Sequence, residues 1–245
     1  MRVFVINLNK QPRVRAVAEI LLVVTILLSL SLSIITKVFR EDLFIEASSQ
    51  SNVKVVILDA GHGGEDPGAT GVTGIYEKDL NLEITMLVGR MLEERGYTVI
   101  YTRTEDKLLY RPEEDIKGIR KISDLKNRCK IAAEHPDGVF ISIHMNSFGS
   151  SKYSGLQVYY AEKNEGSYAL AAKIQENVRA RVQPENKRIV KAGKDIYVLE
   201  NLNNCAVLIE CGFLTNESEC KKLSEKEYQK ELSFAIICGI IEYIE

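Results

Sequence analysis

The sequence has no long run of basic residues, no C-x-x-C pair, no internal repeat and only three histidines in 245 residues. With 32 Lys and Arg against 34 Asp and Glu, there is no basic stripe to meet phosphates, which argues against a nucleic-acid-binding protein. The five cysteines (Cys129, Cys205, Cys211, Cys220, Cys238) are odd in number and scattered. Such spacing fits neither a disulfide scaffold nor a thiolate metal site, so most are expected to be reduced, buried, small apolar residues. A composition of 45% hydrophobic and 27% charged residues also excludes wholesale disorder, a collagen-like chain and a polytopic membrane protein.

One long apolar run is present. Ile20 to Ile35 (ILLVVTILLSLSLSII) carries no charge, and extended back to Ala16 it approaches the ~20 residues needed to cross a bilayer. Lys10, Arg13 and Arg15 precede it, which puts that end in the cytoplasm and the rest of the chain outside. Residues 1–52 hold six basic and four acidic groups, a sum of +2, leaving −4 for residues 53–245. A buried core helix is disfavoured because the run has no polar face. Ser31-Leu32-Ser33 is a small-x-small pattern, but Ile34 and Ile35 follow it and no Ala-x-Ala site stands out, so an uncleaved anchor is preferred to a cleaved signal peptide. No cysteine is available there for a lipid. Residues 1–52 are therefore expected to be a cytoplasmic tail, a signal or anchor helix over about 16–36 and a linker at Ser48 to Asn52. Residues 53–245 form the folded domain.

Strand and helix patterns alternate through that domain. Val53 to Asp59 (VKVVILD) predicts a buried strand, and the glycine-bearing loops Gly61 to Gly64 and Gly68 to Gly74 follow it. Between Lys78 and Arg95, Leu80, Ile84, Leu87, Val88, Met91 and Leu92 recur at three- and four-residue steps, predicting an amphipathic helix that starts near Glu77 and stops at Gly96. Further strands are predicted at Tyr97 to Thr102, Val139 to Ile143, Leu156 to Tyr160 and Ala206 to Ile209. Further helices are predicted around Leu125 to Ala132, at Ser167 to Val182 and at Ser224 to Ile244. The charged stretch Arg103 to Ser123 predicts a surface loop or lid. The class is α/β, with a single, mostly parallel sheet flanked by helices and preceded by the N-terminal signal or anchor helix.

Two of the three histidines, His62 and His144, stand just beyond apolar strand patterns. In an open α/β sheet, ligands bind at the strand C-termini. Glu77 lies at the mouth of the first helix, and Glu210 follows the strand Ala206 to Ile209. Two imidazoles, one carboxylate and a second carboxylate nearby are the inventory of a catalytic zinc hydrolase. Each also has a plainer explanation: a histidine can be a hydrogen-bonded core residue, and Glu77 can be an acid favoured by a helix N-terminus. An acid at Glu210 is costly to bury unless paired or functional. His135, before Pro136, is expected to be structural. Cys211 should face away from Glu210, since neighbouring strand residues point to opposite sides. Spacing alone does not say which glutamate would bind a metal and which would move a proton.

Four strings carry more than spacing: Val56-Ile-Leu-Asp-Ala-Gly-His-Gly-Gly64, Glu77-Lys-Asp-Leu-Asn-Leu82, Ile141-Ser-Ile-His-Met-Asn146 and Leu208-Ile-Glu-Cys-Gly-Phe-Leu-Thr-Asn216. In order and in register over residues 53–245, they resemble the zinc-dependent N-acetylmuramoyl-L-alanine amidases among the peptidoglycan hydrolases. Thr102-Arg103 and the Leu125/Arg128/Ala132 pattern also resemble that family. The resemblance implies that His62, Glu77 and His144 hold Zn2+ and that Glu210 is the catalytic glutamate, with Asn146 helping to orient substrate. It departs at Cys205, where the family usually has Pro, and at Met145, where a smaller residue is common; neither change touches a ligand. The implied reaction cleaves the amide between N-acetylmuramic acid and L-alanine of the stem peptide. The bare one-anchor design looks like the sporulation and germination branch, which implies spore cortex formation through muramic-δ-lactam. Implied partners are peptidoglycan, the membrane through the N-terminal helix, and an accessory protein or second copy in place of a wall-targeting module. The implied location is extracytoplasmic, membrane-anchored or secreted, as in the forespore intermembrane space. Rival readings are a zinc peptidase cutting within the stem, a non-catalytic wall-binding protein, and a cytoplasmic structural or regulatory protein.

Overall fold

The computed structural model describes residues 16, 20–26, 29, 55–110, 113, 116 and 119–245. The chain divides into two units, Met1–Gln50 and Ser51–Glu245. In the first, residues 16, 20–26 and 29 are helical. The remainder of the expected anchor at 16–36 lies outside the described residues. Among the described residues, no helix is long and apolar enough to cross a membrane.

The second unit is an α/β fold. Its elements are β1 (Val55–Ala60), α1 (Glu77–Glu93), β2 (Thr98–Tyr101), α2 (Arg120–Ala133), β3 (Val139–Asn146), β4 (Gln157–Tyr160), α3 (Gly166–Arg181), β5 (Lys191–Ala192), α4 (Tyr197–Asn201), β6 (Ala206–Phe213), α5 (Glu217–Ser224) and α6 (Lys226–Ile244). The sheet order is β2-β1-β3-β6-β4-β5. Pairings β1–β2, β1–β3, β3–β6 and β4–β5 are parallel, whereas β4 runs antiparallel to β6. The sheet is therefore mixed.

Alternation along the strands separates two faces. Val56, Leu58, Ile141, Ile143, Ile209 and Cys211 belong to the larger core, which takes in Leu80, Ile84, Val88 and Leu92 from α1 and the apolar faces of α3 and α6. The four α1 side chains are fully buried, each contributing about 1.5–3 kcal/mol of transfer free energy. The other face begins apolar, with Ile57, Phe140, Ala206 and Leu208 packed beside Val198, Leu199 and Ala132 of α4 and α2. Further along the same face stand Asp59, Ser142, His144 and Glu210. Asp59 and Ser142 are buried beneath Arg128 of α2, whereas His144 and Glu210 are partly exposed.

Three corrections to the sequence expectations follow. β3 and β6 are longer than their apolar runs, so His144 and Glu210 lie within strands rather than after them. A short helix that the sequence pattern does not predict, α5, stands before the final one; Glu225 is extended, with ψ 125°, and separates it from α6, which keeps the expected span. The start of the expected surface loop at 103–123 is not a surface. Arg103 is buried and donates to the carbonyls of Ala60 (2.9 Å), Gly61 (3.0 Å) and Lys78 (2.9 Å). All five cysteines are free; Cys211 and Cys220 are buried and the others partly so.

Candidate active site

The loop after β1 is built around carbonyls that need donors. Asp59, 1% exposed, closes β1 and accepts from Ser142 Oγ (2.6 Å), Thr102 Oγ1 (2.7 Å) and Arg128 Nη1 (2.6 Å). Burial opposes its charge, but Arg128 and the two hydroxyls outweigh burial and hold the carboxyl below its usual range. Arg128, equally buried, is held from below by Asp124 Oδ2 (2.7 Å) and donates to the carbonyls of Ala60 and His62, each at 2.7 Å. Together Arg103 and Arg128 satisfy three consecutive carbonyls, from Ala60 to His62. The chain then reverses: His62 has φ 60°, Gly63 138° and Gly64 54°. A histidine in the left-handed region is costly by about 1–2 kcal/mol, and Arg128 on its own carbonyl holds it there.

His62, Glu77 and His144 meet at this point. Among the described residues, their ligand-type atoms all lie within 4.8 Å of one another. Glu77 Oε1 lies 3.2 Å from His62 Nε2 and 2.9 Å from His144 Nδ1, and accepts the Met145 amide at 3.1 Å. Its Oε2 accepts the Ala69 amide at 2.8 Å. The imidazole rings stand edge to face, with centroids 5.0 Å apart. Asp66 Oδ2 lies 2.9 Å from His62 Nδ1, which directs Nε2 towards Glu77. A Cβ built on Gly61 would lie 2.2 Å from the His144 ring, so the loop needs glycine there for His144 to enter.

The charges are consistent with a site short of a cation. Burial disfavours protonated His62, yet hydrogen bonds to Asp66 and Glu77 outweigh burial and push its pKa up to about 9. Burial also works against ionised Glu77, but both histidines hold it well below the carboxylate range. Glu210 goes the other way. Burial raises its pKa, the positive charge of His144 lowers it, Glu77 raises it, and the result is about 7. Glu210 Oε2 is buried with no hydrogen-bond partner among the described residues. A carboxyl near pH 7 is suited to both accepting and returning a proton.

His144 and Glu210 are paired across β3 and β6, so they share a face. The register then shifts between His144 and Asn146, and Asn146 pairs with Phe213. This irregularity brings Phe213 onto the same face as Glu210, the re-aiming a bulge produces next to a site. Asn146 is partly exposed, with no hydrogen bond from its side chain to the described residues. His135 lies at the far end of the sheet, before β3, its carbonyl accepting from Asn204 at 2.9 Å. Sequence reading missed Asp59, Asp66, Arg103 and Arg128 as supports. For Asp59 a signal existed, an acid closing an apolar strand, the same anomaly that marked Glu210.

Comparison with known proteins places this geometry. A family model described as N-acetylmuramoyl-L-alanine amidase matches residues 56–242. The chain is 37% identical over 192 residues to the germination-specific N-acetylmuramoyl-L-alanine amidase of Bacillus subtilis, covering 78% of this chain and 79% of that one. It is similar to the CwlD amidase of Clostridioides difficile, solved in complex with the GerS lipoprotein, with 43% identity, a TM-score of 0.75 and coverage of 78% of this chain and 98% of that one. An N-acetylmuramoyl-L-alanine amidase from Clostridium difficile 630 gives 33% identity and a TM-score of 0.68, over 79% and 97% of the two chains. The chain therefore belongs to the N-acetylmuramoyl-L-alanine amidase family and is a peptidoglycan hydrolase of that activity.

Proposed function

We propose that the amidase is zinc-dependent, with His62, Glu77 and His144 as the metal ligands and Glu210 as the proton carrier. The observation that carries this reading is the convergence of His62 Nε2 and His144 Nδ1 on one oxygen of Glu77, beside a buried Glu210 oxygen that has no partner. The donor set fits a divalent zinc ion: two imidazole nitrogens and one carboxylate leave a position open. When bound, the ion supplies Lewis acidity at the scissile carbonyl. Glu210 takes a proton from the attacking water and returns it to the departing L-alanine nitrogen. Asp66 fixes the His62 tautomer, so that Nε2 carries the lone pair. Asn146, with its amide uncommitted, orients substrate.

Because His62 is held protonated until about pH 9, metal uptake must displace that proton. Titrating zinc into the metal-free chain at pH 7.5 is expected to release about one proton, measured by calorimetry in buffers of different ionisation enthalpy. The His62 contribution to the stability of the metal-free fold is fully present below its unfolded pKa of 6.5 and is lost as pH rises through about 9. Release of no proton at pH 7.5 would show that His62 is already neutral in the metal-free chain.

The finer assignments also belong to this proposal. Residues 1–52 are read as cytoplasmic tail, anchor and linker, and residues 53–245 as the extracytoplasmic catalytic domain. Similarity to the germination-specific enzyme supports a role in spore cortex formation, in the path to muramic-δ-lactam. Similarity to an amidase solved with a lipoprotein supports an accessory protein as partner. The deciding experiment incubates the zinc-loaded full chain with purified peptidoglycan and identifies products by mass spectrometry. Stem peptides beginning at L-alanine are expected; peptides cut internally would transfer the site to a peptidase.

A further inference from the structure

Arg188 is the unassigned residue most closely built into the site. Its Nε donates to the Ser154 carbonyl at 2.8 Å and its Nη1 to Gln157 Oε1 at 2.9 Å. The guanidinium lies over the Phe213 ring, 4.4 Å from the centroid. Gln157 is in turn the direct partner of Glu210 across the antiparallel β4–β6 pairing. Side chains opposite one another in such a pair share a face, with Cβ atoms about 4.5–5.5 Å apart. Arg188 therefore sits one side chain from Glu210, on the Glu210 face. The Tyr159 hydroxyl donates to the same Gln157 Oε1 at 3.4 Å.

Two features make this arginine more than a structural brace. Its Nη2 has no partner and no carboxylate lies within ion-pair distance of it, among the described residues. Glu219, an acid on which Arg188 acts electrostatically, has its oxygens taken by the amides of Gly155 and Phe213, each at 2.8 Å. Arg188 also lines a cleft of about 680 Å³ rimmed by Lys152, Lys187 and Lys222 against Glu185 and Glu219, so positive charge continues away from the site. A planar guanidinium fixed on two sides and stacked on a ring is pre-organised for a carboxylate.

We propose that Arg188 is a specificity-determining residue that binds a free carboxylate on the stem peptide, at the residue next to L-alanine. The ligand class is an acidic peptide with an unamidated α-carboxylate at its second residue. The inference rests on Glu210 marking the reacting bond, as proposed above.

The test compares two muramoyl dipeptide fragments, L-alanyl-glutamate with the α-carboxylate free and the same fragment with it amidated. The zinc-loaded full chain is expected to prefer the acid by about 10–100-fold in kcat/KM, mostly through KM. Arg188→Gln is expected to collapse the acid-to-amide ratio towards one, and Arg188→Lys to fall between. Equal turnover of acid and amide by the parent chain, or an equal loss on both fragments in Arg188→Gln, overturns the proposal. The parent comparison needs no variant, so misfolding of Arg188→Gln leaves the test intact. If the parent cleaves neither fragment, the amidase role of Glu210 is judged on purified peptidoglycan instead. The subsite is then read by calorimetric binding of the free L-alanyl-glutamate dipeptide and its amide: tighter binding of the acid supports Arg188, and equal binding overturns it.

Discussion

Glu210→Gln is expected to lower amidase turnover by about 10²–10⁴-fold, the range for removing a positioned general acid–base. Glutamine keeps the shape but cannot take the proton from water or hand it to the leaving nitrogen. The same change is not expected to weaken the fold. Burial, resisted by His144 and helped by Glu77, raises the Glu210 carboxyl to about 7 in the metal-free protein. A carboxyl with a raised folded-state pKa costs stability as pH climbs from its unfolded value of 4.5 towards 7, and that cost is fully present above 7. The variant escapes this cost, so its Tm relative to the parent should rise between pH 5 and pH 8. Release of stem peptides at near-parent rates would remove Glu210 from the chemistry. A lower Tm at pH 8 than at pH 5, relative to the parent, would show that its carboxylate is paired in a way the structure does not contain.

The second large effect lies away from the reacting bond. Arg128→Met is expected to destabilise the domain by about 3–5 kcal/mol, the cost of breaking a buried ion pair from one side. Methionine fills much of the volume but leaves Asp59 with only Ser142 and Thr102, leaves Asp124 with only the Leu109 amide, and removes donors from the carbonyls of Ala60 and His62. For a domain of this size, each kcal/mol moves Tm by about 2–4 °C, so thermal unfolding should drop by roughly 6–20 °C. Adding Asp59→Asn should recover part of the loss, because the uncompensated charge is then gone. A Tm within about 3 °C of the parent would contradict the central place given to this pair.

How much of this was legible beforehand depended on whether a residue's role shows in a pattern. The strands and α1 were readable because Val56, Leu58, Leu80, Ile84 and Val88 keep strict periods, and burial of one face demands those periods. His62 and His144 stood out as rare residues at strand ends. Their ligand roles and those of Glu77 and Glu210 came from resemblance rather than from spacing. The two-residue β5 has no period to detect, and the break at Glu225 sits within continuous helix-forming sequence. Asp66 reaches His62 only because the loop reverses at φ 60°, a fact of backbone geometry. A buried arginine such as Arg128 looks, in a sequence, like any charge on the solvent side of a helix. The register shift that turns Phe213 towards Glu210 comes from the pairing of two strands, so neither strand encodes it alone.

The two arginines holding the carbonyls of Ala60, Gly61 and His62 have one further consequence. In small zinc domains the ion is the fold's own cross-link, and a chelator denatures them. Here the backbone under His62 is anchored by the protein's own donors. His62, Glu77 and His144, the ligands proposed above, are thus brought together by the fold alone. Loading and stripping can then proceed as local exchange, with no cycle of unfolding. On the zinc-dependent reading proposed above, a metal-free chain would be a folded, dormant hydrolase, and the supply of the ion at the place of use would decide when wall cleavage begins.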